Sequence, residues 1–288
     1  MKKKKIIISV TTFLILFILW FSFQENINNY KANKSTLTSK IEKIIPSSII
    51  ALLKKTRVLF ISKSEEFSFN LTASKNKIDN SDYLLTKFSN SDLIPLGPRS
   101  YIGKFEDNLL IMTGTGTLIY SPIKSLEGEK ILFKTIKTNF SKLVGVDFIS
   151  EERIITRSIL IKKKKIYVSY IKKVNKKCYM NSIFSADLNL KNIKFSEVFN
   201  TGECYPFFGN QDGGYLSDYK ENEILLSIGD WDWETRGVTD PQKKDNLKGK
   251  IISINLATKD YKVKAMGFRN PQGLFYDKKD NIIYSSDH

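Results

Sequence analysis

The chain has 288 residues, 41% of them hydrophobic, enough to bury a core in one large domain or two small ones. Its 46 Lys and Arg outnumber 30 Asp and Glu for a formal net charge of +16, a balance that often marks a nucleic-acid or anionic-lipid partner. The excess is scattered Lys, with no zinc-finger spacing, Walker loop or RNA-binding aromatic signature, so no nucleic acid is expected as a partner.

Lys2 to Lys5 precede an uncharged apolar run from Ile6 to Phe23. Roughly 18 such residues span a hydrocarbon core of about 30 Å. Lysines before the run and none just after it place the N-terminus in the cytoplasm. The run exceeds an ordinary signal-peptide apolar region, and Phe21-Ser22-Phe23-Gln24-Glu25 lacks small residues for cleavage. Residues 1–25 therefore read as a Lys cluster and an uncleaved transmembrane anchor, with a cleaved signal peptide as the alternative. Both put the remaining chain outside the cytoplasm, the first as a single-pass, periplasmic-facing membrane protein.

Residues 26–56 begin with a polar linker, Asn26 to Thr38. Leu37, Ile41, Ile44 and Ile45, then Ile49, Ile50, Leu52 and Leu53, recur at helical spacing around Pro46, opposite Lys40, Lys43, Lys54 and Lys55. This predicts a broken amphipathic helix, lying on the membrane surface or packed on the folded domain.

From residue 57 to 288 the pattern is all-β. Short β-branched and aromatic runs lie between Gly, Asn, Asp and Lys-Lys turns: Asn108–Met112, Thr117–Tyr120, Ile166–Tyr170, Ile224–Ile228, Lys250–Asn255 and Asn281–Ser285. Lys162 to Lys165 reads as a solvated loop or a strand edge. Cys178 and Cys204, in an exported chain, are either one disulfide or two separate buried thiols. Nothing beside them supplies a zinc site.

The run Ile166–Ser169 recurs as Ile224–Ser227 and Ile282–Ser285 at an even spacing of 58 positions, with a weaker copy at Leu109–Met112. Such a period predicts a β-propeller with long inter-strand loops, with a β-sandwich as the next choice.

At Gly267-Phe268-Arg269-Asn270-Pro271-Gln272-Gly273-Leu274, continuing to Ser285-Ser286-Asp287-His288, the chain resembles the soluble glucose/sorbosone dehydrogenase family. Asn210 to Leu216, Leu226 to Asp230 and Lys248 to Asn255 are similar to further family segments. The match is good from about Tyr205 onward and thin before it. The resemblance implies a six-bladed propeller that oxidises an aldose with pyrroloquinoline quinone and calcium and passes electrons to a membrane acceptor. It assigns cofactor contacts to Arg269, Asn270 and His288. A guanidinium suits such a carboxylated quinone, although Asn-Pro-x-Gly is also good turn chemistry by itself.

Two departures bear on activity. The family's catalytic His falls here on Gln211, which cannot act as a base; Asp212 beside it is the substitute to consider, and Tyr215 replaces an Arg. The sequence also stops at His288, where the family continues with an acidic segment that completes the calcium site and the remaining blades, so an incomplete propeller is expected. Whether the chain is an enzyme is thus left open, the alternative being a non-catalytic propeller that binds a glycan or an envelope protein. Trp231 and Trp233 either stack on a ligand or pack their own loop. Asp230 and Asp232 fall short of a calcium ligand set, and no metal site is assigned.

Overall fold

The computed structural model describes residues 99–288, except 128, 129, 153, 207, 210 and 232–238. It also describes a few positions between 46 and 56 and, as backbone, three short strands between residues 66 and 87. Among the described residues no helix is long and apolar enough to cross a membrane. The expected anchor and most of the linker lie outside them. Within 26–56, Ser48, Ile49, Leu52, Lys55 and Thr56 are helical.

The described chain is mostly β. In order the elements are β1 (Glu66–Asn70), β2 (Ser74–Lys77), β3 (Leu84–Lys87), β4 (Ser100–Phe105), β5 (Asn108–Thr113), β6 (Leu118–Pro122) and β7 (Lys130–Thr138). Two short helices follow, α1 (Phe140–Val144) and α2 (Val146–Glu152). Then come β8 (Thr156–Lys162), β9 (Lys165–Asn175), β10 (Cys178–Asp187), β11 (Asn192–Ile193), β12 (Ser196–Asn200), β13 (Gly213–Asp218), β14 (Glu223–Ile228), β15 (Lys250–Asn255), β16 (Tyr261–Met266), β17 (Gly273–Asp277) and β18 (Ile282–Ser286).

These strands build antiparallel sheets in sequence order: β4 to β7, with β1 added at the β7 edge; β8, β9, β10 and β12; β13 to β16; and the pair β17–β18. Four-stranded meanders that follow one another in this way resemble propeller blades. The first strand of each packs on its neighbour's, β8 against β4 and β13, and β13 against β17. β10, buried along nearly its whole length, lies inside its sheet, whereas outermost β16 is mostly exposed and carries Lys262 and Lys264, which discourage edge pairing. Phe140 of α1 meets Tyr170, Phe184 and Phe195 edge-on at the centre of the main core.

The repeated segments all fall on the second strand of a sheet, β5, β9, β14 and β18, and the repeated serines explain why. Ser169 Oγ donates to the Gly214 carbonyl and Ser227 Oγ to the Pro271 carbonyl at 2.8 Å, each reaching the next sheet. Thr156 Oγ1 ties the second sheet back to the first through the Thr113 carbonyl at 2.7 Å. Ser227 is fully buried and also accepts the Tyr215 N–H at 3.0 Å. Ser227→Ala strands both partners and is expected to cost about 1–3 kcal/mol, read as a shift in urea midpoint at constant slope.

The four-lysine run is a tight hairpin. Lys163 and Lys164 take positive φ, 49° and 61°, as a two-residue turn of this hand demands. Lys162 is buried and reaches across to Asp218 and to the carbonyls of Lys220 (2.6 Å) and Glu223 (3.1 Å). The run is thus a strand edge and a clasp between two sheets.

Candidate functional site

The candidate residues gather at one end of the sheets. Gln211 and Asp212 immediately precede β13, Gly229 to Trp231 follow β14, Gly267 to Asn270 precede β17, and Asp287 and His288 follow β18. Main-chain contacts knit these loops: Trp231 N–H donates to the Gln211 carbonyl (3.0 Å) and Asp230 N–H to the Arg269 carbonyl (2.7 Å). Gly229 permits the crossing, since a Cβ there would lie 2.0 Å from the Gln211 oxygen.

The loop before β17 is fixed by Asp287, whose carboxylate accepts the N–H groups of Arg269 (2.9 Å) and Asn270 (2.6 Å). Arg269 and His288 are exposed. Asn270 is buried, and its Oδ1 accepts the Gly213 N–H at 3.3 Å, bridging two sheets.

Asp212 is 2% exposed and pairs with Arg157 of β8, which is also 2% exposed. The pair is bidentate: Arg157 Nε donates to Oδ1 at 2.7 Å and Nη2 to Oδ2 at 2.5 Å. Arg157 Nη1 donates to the Ile154 carbonyl at 2.5 Å. Its stem lies where a side chain on Gly214 would be, 2.4 Å from a Cβ, and Gly214 has φ of +93°. Burial opposes the charge on Arg157, but the Asp212 carboxylate and its hydrogen bond outweigh it, so the guanidinium's pKa rises.

Tyr101 of β4 and Tyr215 of β13 meet edge to face with 6.2 Å between centroids, and Arg157 lies within electrostatic reach of both. Burial raises the Tyr101 pKa against the pull of Arg157, so the phenol keeps its proton. Among the described residues its buried hydroxyl has no hydrogen-bond partner, nor has Trp231 Nε1. Trp231 is itself buried and stacks on Tyr205 at 4.4 Å, so it packs its own loop; Asp232 and Trp233 lie outside the described residues. Cys178 and Cys204 form a disulfide with 4.6 Å between Cα atoms. It secures the pairing of Tyr179 with Tyr205, which exchange two hydrogen bonds of 2.9 Å.

Among the described residues no complete site for the implied cofactors is assembled. Tyr215 stands where the resemblance expects an Arg, and its ring meets that of Tyr101. Arg157 is already committed to Asp212. Among the described residues no group of three or more His, Cys, Asp and Glu could hold a metal ion. Sequence reading missed Arg157 and Tyr101. Their one signal is register: Arg157 sits on the first strand of its sheet as Gly214 does on the next.

The fold is that of a mostly β protein whose four-stranded sheets resemble propeller blades, with the candidate residues at one end of the sheets. No family model matches the sequence. An uncharacterised protein of Borreliella burgdorferi is 27% identical over 198 residues, covering 66% of this chain and 44% of that protein. Two solved glucose dehydrogenase structures are similar with TM-scores of 0.51 at 18% identity, each over 66% of this chain and over 61% and 57% of their own. The chain therefore has the fold of soluble sugar dehydrogenases, and spans about three fifths of those structures and under half of the curated relative.

Proposed function

We propose that this is a membrane-anchored, extracytoplasmic propeller of the sugar-dehydrogenase type that binds a sugar-like ligand without oxidising it. The carrying observation is the Arg157–Asp212 pair. Oxidising an anomeric hydroxyl needs a group that accepts its proton. Gln211 cannot do so, and Asp212 next to it is buried and held by both oxygens. Binding has better support. The Tyr101 and Tyr215 rings meet within electrostatic reach of Arg157, and Arg269 is exposed at the same end. Sugar hydroxyls accept hydrogen bonds from a guanidinium, and an aromatic face suits the apolar face of a sugar ring. The similarity to glucose dehydrogenases points to the same ligand class, and the apolar N-terminal run supports display at a membrane.

The test is titration of the full chain in detergent with neutral and acidic oligosaccharides, followed by calorimetry. Saturable binding weakened about ten-fold or more by Arg269→Ala is expected, as for a lost charged hydrogen bond. Binding unaffected by Arg269→Ala would place the ligand elsewhere. No binding across the series would refute the reading.

A further inference from the structure

Lys250, which opens β15, is fully buried at 0% exposure. Its ammonium meets no carboxylate among the described residues. It donates instead to main-chain carbonyls: Lys248 at 2.7 Å, Pro241 at 2.8 Å and, more weakly, Asp240 at 3.5 Å. A cation held by carbonyls alone costs desolvation that nothing opposite repays directly, so such a group calls for a reason.

The reason lies in what those carbonyls touch next. The Pro241 carbonyl also accepts the Gly267 N–H at 3.0 Å, and the Gly249 carbonyl accepts Gly267 (3.0 Å) and Phe268 (3.1 Å). Gly249 N–H donates to the Gly229 carbonyl at 2.9 Å, and the adjoining Asp230 N–H to Arg269. The hydrogen bonds from the 240–249 loop to Gly267 and Phe268, which lead into Arg269 and Asn270, thus lie beside the carbonyls that hold the Lys250 ammonium.

We propose that Lys250 is a positioning residue for the candidate site, its ammonium serving as a built-in cation that gathers the 240–248 carbonyls and sets the loop bearing Arg269 and Asn270. The inference rests on the site assignment above, but its test needs no ligand. Charge at this point concentrates order where main chain from three loops converges, 229–230, 240–249 and 267–268. A neutral side chain of the same size fills the volume and leaves the carbonyls ungathered.

Titration supplies a second handle. Burial lowers the Lys250 pKa, and the charges facing it from the surrounding loops, Glu203, Asp245 and Asp240, only partly offset this. A folded-state pKa below the unfolded one means that the unfolded chain holds more protons across that window. Unfolding free energy therefore rises with pH between the lowered value and the ordinary Lys value of about 10.4.

The experiment is amide hydrogen exchange by mass spectrometry on the full chain in detergent, comparing wild type with Lys250→Met and Lys250→Gln. Exchange at Gly249, Gly267 and Phe268 is expected to speed about ten-fold or more in both variants, with β5 and β6 amides within about two-fold of wild type. Equal acceleration in all sheets would make Lys250 a general stability residue and overturn the proposal, as would unchanged exchange in the 240–249 and 267–270 loops. Should Lys250→Met fail to fold, the Gln variant decides alone, because it keeps a donor but loses the charge. In the same variants the alkaline rise in stability should vanish; a rise that persists would show that no charged Lys250 is held in the carbonyl cage. Absence of sugar binding by the wild type, with the variants exchanging as expected, would count against the ligand reading only, so the two failures are distinguishable.

Discussion

Asp212→Asn is expected to destabilise the fold by about 3–5 kcal/mol, because it leaves the Arg157 guanidinium charged, buried and without a counter-ion. Both side chains of the pair are only 3% exposed, so solvent does little to screen the loss. The effect should appear as a lower urea midpoint with an unchanged slope. Replacing both partners, as Arg157→Met with Asp212→Leu, should return to within roughly 1–2 kcal/mol of wild type, since a buried ion pair repays little more than its own desolvation. This contrast separates a structural ion pair from a catalytic carboxylate. A catalytic Asp212 held at a cost to the fold would give a neutral or more stable Asn variant, and that result would return Asp212 to the list of candidate bases.

Removing the disulfide by Cys178→Ser with Cys204→Ser is the second large effect. The cysteines lie 26 positions apart. In the chain-entropy view, closing such a loop contributes roughly 3–4 kcal/mol by limiting the unfolded ensemble. The Tyr179–Tyr205 pairing and the Tyr205–Trp231 stack should also loosen, so near-ultraviolet circular dichroism from Trp231 is expected to weaken below the unfolding transition. Wild type in a strong reductant should match the double variant. A cost under about 1 kcal/mol would mean that the hydrogen bonds between Tyr179 and Tyr205 already fix this loop and that the disulfide adds little.

Much of the sheet organisation was legible because it repeats. A second strand covered on both faces must be a continuous apolar run, as in β9 and β14, where Ser169 and Ser227 each donate to a carbonyl of the next sheet or of the loop leading into it. The run is repeated in β18, where Ser285 donates to Gly273 of its own hairpin. The loop of Arg269 and Asn270 was legible as a motif whose turn chemistry is local. Asp287 reads in the sequence as part of the motif's tail, yet it holds that loop by two main-chain hydrogen bonds.

What escaped sequence reading was long-range pairing. Arg157 and Asp212 are 55 positions apart, and nothing local to either marks the other. Lys250 is one of 46 cationic residues and looks like an ordinary strand-edge lysine until its burial is known. The helices α1 and α2 are too short to show a helical period, and Phe140 is buried by contacts with two later strands. The cysteines were compatible with a bond, but spacing alone could not choose it over separate thiols.

The measurement that bears most directly on the central claim is an aldose-dependent dye-reduction assay. The full chain would be supplied with pyrroloquinoline quinone, calcium and an artificial electron acceptor, beside the binding titration already described. The expected result is saturable sugar binding with no dye reduction above the protein-free rate. Aldose-dependent reduction that disappears in Arg269→Ala would contradict the account, establishing an oxidising site and requiring a proton acceptor other than Gln211.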